Sequence, residues 1–179
     1  MDNLLASAHA VLAATSSRWD QLAHRLPADL LARPAAPGQW SALNCLQHMI
    51  DTERFVFPLR VRAFLAGRDF DAFDPDRQGT VAETGRTALE LSAEFAMLRA
   101  DSLRLFDSLA PGDLSRQAVH QELGPVTLSQ LLHEWAGHDL MHTVQAERAL
   151  MQPFIEGCGP WQVSFSDHVA SRPPTLLPG

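Results

Sequence analysis

The chain has 179 residues, 46% of them hydrophobic and 20% charged, the make-up of a globular domain that buries a core without disulfides. Its 14 basic and 21 acidic residues leave a net charge of −7, and no basic run is present, which argues against nucleic acid as a partner. The two cysteines, Cys45 and Cys158, are far apart and outside CxxC spacing, so neither a disulfide scaffold nor a Cys-rich zinc site is expected, and a reducing compartment fits.

The first positive charge is Arg18, so the start lacks the basic n-region of a signal peptide. No stretch approaches the roughly 20 apolar residues of a membrane span. The expectation is a cytoplasmic protein without membrane contact, forming one domain over residues 1–179 with an irregular tail from about residue 151.

Leu4, Leu5, Ala8, Val11, Leu12, Trp19, Leu22 and Leu26 recur at three and four, the spacing of an amphipathic first helix. Residues 27–40, with Pro27, Pro34, Pro37 and Gly38, read as a connector. Ser41 is a plausible N-cap for a second helix through Leu46, Ile50, Val61 and Leu65, interrupted at Pro58 and ended by Gly67. Residues 68–79 read as a loop. Thr80 and Glu83 have capping-box spacing and predict a third helix through Leu89, Phe95, Leu98, Leu105 and Leu109, stopped by Pro111-Gly112. Thr127 and Gln130 form a second such pair and open a fourth helix to about Leu150, before Pro153 and a Gly-Pro cluster. A short element is expected around Trp161–Val169. The only strand-like hint lies in 117–126. Four long amphipathic segments predict an all-α four-helix bundle.

Within the fourth helix, His138 and His142 stand four apart, so both imidazoles leave one face about a turn apart. Imidazole is the commonest protein ligand for divalent transition metals. His48 lies seven residues after the cap at Ser41, about 10 Å along its helix. His142 lies eight residues before Leu150, about 12 Å from that end. If the two helices run antiparallel, His48, His138 and His142 come level, and three imidazoles leave a position open for chemistry. His133 precedes His138 by five, about 140° round the helix, so it faces elsewhere, and His133-Glu134 is one residue too far from His138 to make HExxH. His9, His24, His120 and His168 lack partners at ligand spacing. Glu134 and Asp51 are candidates to orient an imidazole or take a proton, against an ordinary salt-bridge role. Gln145 falls on the ligand side as well. Cys45 reads better as a small buried residue than as a ligand.

The segments Trp40-Ser41, Leu46-Gln47-His48-Met49-Ile50-Asp51-Thr52-Glu53, Phe73-Asp74-Pro75-Asp76, Thr127-Leu128 and Leu131-Leu132-His133, followed by His138-Asp139, His142 and Gln145, resemble the DinB-like superfamily over roughly residues 1–165. These are damage-inducible-type bundles unrelated in fold to the polymerase of similar name. The resemblance implies an up-down-down-up connection, which residues 67–79 are long enough to make. It implies a three-histidine site for zinc, nickel or a similar ion. Studied relatives include transferases and isomerases using low-molecular-weight thiols such as bacillithiol, mycothiol or glutathione, and family members are often dimers. A metal-dependent thiol S-transferase acting on a small molecule is the leading expectation. A metal-dependent hydrolase and a non-catalytic metal-binding stress-response protein are the alternatives. Trp19, Phe70, Phe73, Phe154, Trp161 and Phe165 form an aromatic surplus that the tail or a second copy could cover.

Overall fold

The computed structural model describes residues 3–71 and 85–170. The bundle consists of α1 (Leu4–Arg25), α3 (Ala42–Phe55) continued by α4 (Phe57–Leu65), α5 (Ala88–Asp107) and α6 (Leu128–Gly157). A short α2 (Ala28–Ala32) lies in the first connector. A hairpin of β1 (Gln117–His120) and β2 (Gly124–Thr127) precedes α6.

Reciprocal side-chain caps fix where three bundle helices start. The Ser41 backbone N–H donates to Asn44 Oδ1 (2.9 Å) while Asn44 N–H donates to Ser41 Oγ (3.2 Å). Thr127 and Gln130 make the same exchange at 2.8 and 3.2 Å, and Thr87 and Glu90 at 2.8 and 3.2 Å. Each exchange satisfies donors that the first helical turn leaves open. The bundle helix therefore begins at Ala88, later than the sequence pattern suggests; a cap at Thr80 lies outside the described residues. The interruption expected at Pro58 falls at Val56, which leaves helical geometry (φ −120°, ψ −84°), and Pro58 sits in the first turn of α4, where its missing N–H costs nothing.

Two apolar clusters set the helix directions. One joins Ala8 and Leu12 of α1 to Val61 and Phe64 of α4, Phe106 of α5 and Leu128–Trp135 of α6. The other joins Trp19 and Leu22 to Cys45–Ile50, to Leu91 and Phe95, and to Ala146 and Leu150. Residue numbers thus rise together along α1 and α6 and fall along α3–α4 and α5, which is the up-down-down-up order. Trp19, counted in the aromatic surplus, is core at 1% exposure.

Between the clusters lies a buried polar layer. Arg99 of α5 donates through Nη1 to Asp139 Oδ2 (2.6 Å) and to the Leu12 carbonyl (3.0 Å), and through Nη2 to Glu53 Oε1 (2.6 Å). Ser102 and Trp135 also donate to Glu53. One guanidinium thereby ties α5 to the other three bundle elements at the level where His138 leaves α6.

Two further expectations are corrected. α6 runs through Pro153 to Gly157 and does not end near Leu150. The reason is the returning tail: the Gln152 amide donates to the His168 carbonyl (2.9 Å) and accepts from Ala170 N–H (2.9 Å), which holds the last turns in place. The tail is itself a 3₁₀ helix, Gly159–His168, and it leaves Phe154 and Trp161 exposed. The weak strand signal at 117–126 is a real hairpin in which His120 pairs Gly124. Gly124 adopts φ +76°, a conformation costly for any other residue. Phe70 N–H donates to the Val119 carbonyl (3.3 Å), so β1 is pinned to the chain leaving α4.

Candidate metal centre

His48, His138 and His142 come together. Their ligand-capable nitrogens all lie within 4.8 Å of one another, and they form a group with metal-ligating potential among the described residues. The Nε2 atoms of His48 and His138 are 3.1 Å apart. In a tetrahedral site with metal–nitrogen bonds of about 2.0–2.1 Å, two imidazole nitrogens stand about 3.3 Å apart, so the spacing suits a shared cation. The histidines come level even though α6 overruns the end assumed for it, because the polar layer, not the helix end, sets the height of α6 against α3.

The surroundings keep the rings neutral, as metal ligation requires. Burial, reinforced by the neighbouring His142, pushes His48 down to about 4. Burial and then the charges of His142, His48 and Arg99 push His138 down to about 3. Burial lowers His142 too, against the opposing effect of the hydrogen bond it donates to Gln145. Gln145 Oε1 lies 2.9 Å from His142 Nδ1; with the proton on Nδ1 the ring donates there, leaving the Nε2 lone pair free. Among the described residues, the Nδ1 atoms of His48 and His138 are buried without a hydrogen-bond partner. Donor type, spacing and protonation state therefore all fit a divalent transition ion.

Aromatic rings wall the cluster. Trp40 stacks on His142 (centroids 5.8 Å, interplanar 22°) and lies 5.1 Å from His48. Phe57 meets His138 edge-on at 5.1 Å. On one side a cleft of about 260 Å³ opens beside His48 and His138, lined also by Thr52, Arg60, His120 and Glu134. A larger groove of about 560 Å³ between α1 and α6 is lined by Leu4, Val11, Leu114 and His133, but its wall is mainly apolar and, among the described residues, brings no second titratable group to His133.

The other candidates separate clearly. His133 is exposed and its Nδ1 contacts the Ser129 carbonyl (2.8 Å), away from the cluster. Cys45 is buried in the second apolar cluster, and burial pushes its thiol up to about 12, which suits a structural residue rather than a thiolate ligand. Asp51 is buried on α3 and accepts from the Gln47 amide (3.1 Å). Glu134 is exposed and reaches the cleft. Arg60, carried to the cleft by α4, and His120, brought there by long-range pairing of the hairpin, were not singled out by the sequence pattern. Trp40 stands in the matching motif, yet helical spacing alone gives it no role.

The fold and cluster define a histidine-bearing, up-down-down-up four-helix bundle. The chain belongs to the DinB superfamily, whose model matches residues 12–146. Among solved structures, YfiT from Bacillus subtilis, described as a probable metal-dependent hydrolase with an unusual four-helix bundle topology, is similar in fold. The TM-score is 0.73 over 86% of this chain and 89% of that one, at 15% sequence identity. No curated protein matches the chain. No helix among the described residues is long and apolar enough to cross a membrane.

Proposed function

We propose that the protein is a metal-dependent hydrolase in which His48, His138 and His142 hold a divalent ion, zinc or nickel by donor type, and Glu134 accepts a proton from the attacking water. The observation that carries this reading is the convergence of three neutral imidazoles, two with Nε2 atoms 3.1 Å apart, beside an open cleft. A divalent ion held there supplies Lewis acidity toward a nucleophile at neutral pH.

The chain's own residues supply the rest. Gln145 and Trp40 hold the His142 ring, one through Nδ1 and the other by stacking. Trp40 covers His142 and His48, while Phe57, against His138, lines the cleft that is read as the approach for substrate. Glu134 stands one helical turn before His138 and lines that cleft, which supports reading its carboxylate as the group that takes a proton. A non-catalytic site would be closed by a fourth protein ligand. Among the described residues the group of potential ligands holds the three histidines and no Cys, Asp or Glu, which supports an open site.

Glu134 favours water over a thiol as the nucleophile, because a thiol ionises readily near neutrality and needs a base less. The description of YfiT as a probable metal-dependent hydrolase supports the same choice. Low-molecular-weight thiol transfer is the second reading, and it rests on the family's studied relatives. The domain over residues 1–179 is read as cytoplasmic, and the exposed apolar side chains, Phe154 and Trp161 among them, support reading it as a homodimer.

The test compares zinc- and nickel-loaded protein with metal-free protein on a panel of p-nitrophenyl esters and anilides, and on thiols paired with monochlorobimane. Metal-dependent hydrolysis that falls about 100-fold or more in Glu134→Gln is expected. Metal-dependent turnover of thiols alone would move the assignment to the second reading. Turnover on neither panel would overturn both.

A further inference from the structure

Arg60 and His120 are 92–93% buried (8% and 7% exposed), and both line the cleft beside the histidine cluster. Arg60 arises from α4 and His120 from the end of β1. The bridge between Phe70 and His120 and the Arg60 guanidinium lying 5.2 Å over the Phe70 ring hold the two against each other.

Their facing nitrogens are two donors. His120 Nδ1 accepts from the backbone N–H groups of Glu122 (3.1 Å) and Leu123 (3.3 Å). The proton of the ring therefore sits on Nε2. Arg60 Nη2, which has no lone pair to offer, lies 3.4 Å from that same Nε2. Two N–H groups so placed do not bond each other and can share one acceptor. Among the described residues, Arg60's other polar contact is a long one, 3.5 Å to the Asp71 carbonyl. Glu134 acts on Arg60 through its charge, yet among the described residues no carboxylate comes within ion-pair distance of it. A guanidinium largely withdrawn from bulk water, with no carboxylate at ion-pair distance among the described residues, is stabilised by an anion entering the cleft it lines.

We propose that Arg60 and His120 form an oxyanion subsite that holds the carboxylate of a small acidic substrate in the same cleft as the histidine cluster. Calling the ligand a substrate rests on the reading given under Proposed function; the subsite itself rests only on the two donors. The planar fork of Arg60 suits a carboxylate, and His120 Nε2–H adds a third donor from the side. The cleft volume of about 260 Å³ limits the ligand to a small organic acid. Glu122 and Glu134 line the same cleft and oppose an anion, but both are exposed, so solvent screens them more than it screens buried Arg60. The carboxylate then fixes one end of the substrate, while the bond to be broken faces the histidines.

The test uses isothermal titration calorimetry with succinate, and with neutral succinamide as the control. The protein is prepared metal-free and with one equivalent of zinc, and zinc uptake is measured on every sample. Succinate is expected to bind wild-type protein in both states, and succinamide not to bind. Arg60→Gln should weaken succinate binding about tenfold, and His120→Phe should weaken it less. Glu134→Gln, at an exposed position that tolerates change, should tighten it severalfold.

No succinate binding to wild-type protein, equal binding by succinamide, or unchanged affinity in folded Arg60→Gln would overturn the proposal. Should Arg60→Gln not fold, affinity in Glu134→Gln that stays equal or falls would overturn it instead. Stoichiometric zinc uptake without an Arg60 effect removes the subsite and leaves the metal reading standing. Arg60-dependent binding without zinc uptake removes the metal reading and leaves the subsite.

Discussion

Replacing Arg99 with Met should strip the bundle of its central tie. Arg99, Glu53 and Asp139 are all at or below 1% side-chain exposure. The guanidinium bridges both carboxylates and the Leu12 carbonyl at 2.6–3.0 Å. Met keeps much of the side-chain volume and its packing against Phe95 and Trp135, but leaves two buried carboxylates facing each other. Breaking a buried pair from one side costs about 3–5 kcal/mol. For a domain of this size each kcal/mol moves Tm by about 2–4 °C, so Tm should fall by about 6–20 °C at pH 7.

The loss should depend on pH in a definite direction. Burial raises Asp139 from 3.8 to about 6 despite the opposing charge of Arg99. A carboxyl raised in the folded state favours folding when protonated, so its contribution grows as pH falls from about 6 toward 3.8. Without Arg99 that rise is larger, and the variant should recover part of its deficit at pH 5 relative to pH 8. Thermal and urea unfolding followed by circular dichroism at both pH values measure this. A deficit under about 1 kcal/mol at pH 7, or one equal at pH 5 and pH 8, would refute the tie as the holder of the central layer.

Gln145→Leu removes the partner of His142 Nδ1 and should weaken metal binding about 10–100-fold without unfolding the protein, as competition with a chromophoric chelator will show; unchanged affinity would deny Gln145 an orienting role. His48 and His138 are lowered to about 4 and 3. Groups depressed in the folded state and protonated near 6.5 when unfolded give stability that is present above 6.5 and is lost as pH falls toward 4. Metal-free His48→Phe, freed of one such group, should therefore lose less stability than wild type between pH 7 and pH 5 in urea titrations, and parallel losses would contradict the burial of the cluster. Trp40 stacks on His142, so nickel or cobalt should quench fluorescence through Trp40; Trp40→Phe should retain the metal and lose most of the quenching, and quenching that persists would place the metal elsewhere.

The bundle was legible because its helices carry strict three-and-four spacing and side-chain caps that work locally. His138 and His142 were legible for the same reason, since four-residue spacing puts both on one face whatever the tertiary context. His48 followed from antiparallel packing alone. The length of α6 was not legible, because the contacts of Gln152 with a tail that returns from residues 168 and 170 override Pro153. Nor was the site side of His120, which depends on β1 pairing with Phe70 across fifty residues of chain. Arg99 did leave a trace: it falls four residues after Phe95 on the buried face of α5, where a charge without a buried partner would be untenable. Asp139 leaves the same trace, four residues after Trp135 on the buried face of α6, whereas Glu53 lies on α3, which is buried nearly all round, so spacing does not single it out there.

The most direct measurement is elemental analysis of protein purified without a nickel column, then loaded with zinc, for wild type and for His48→Ala, His138→Ala, His142→Ala and His133→Ala. The account predicts one equivalent in wild type and in His133→Ala, and loss of stoichiometric binding in the other three. Equal retention in all four variants, or equal loss in all four, would contradict a centre built from His48, His138 and His142.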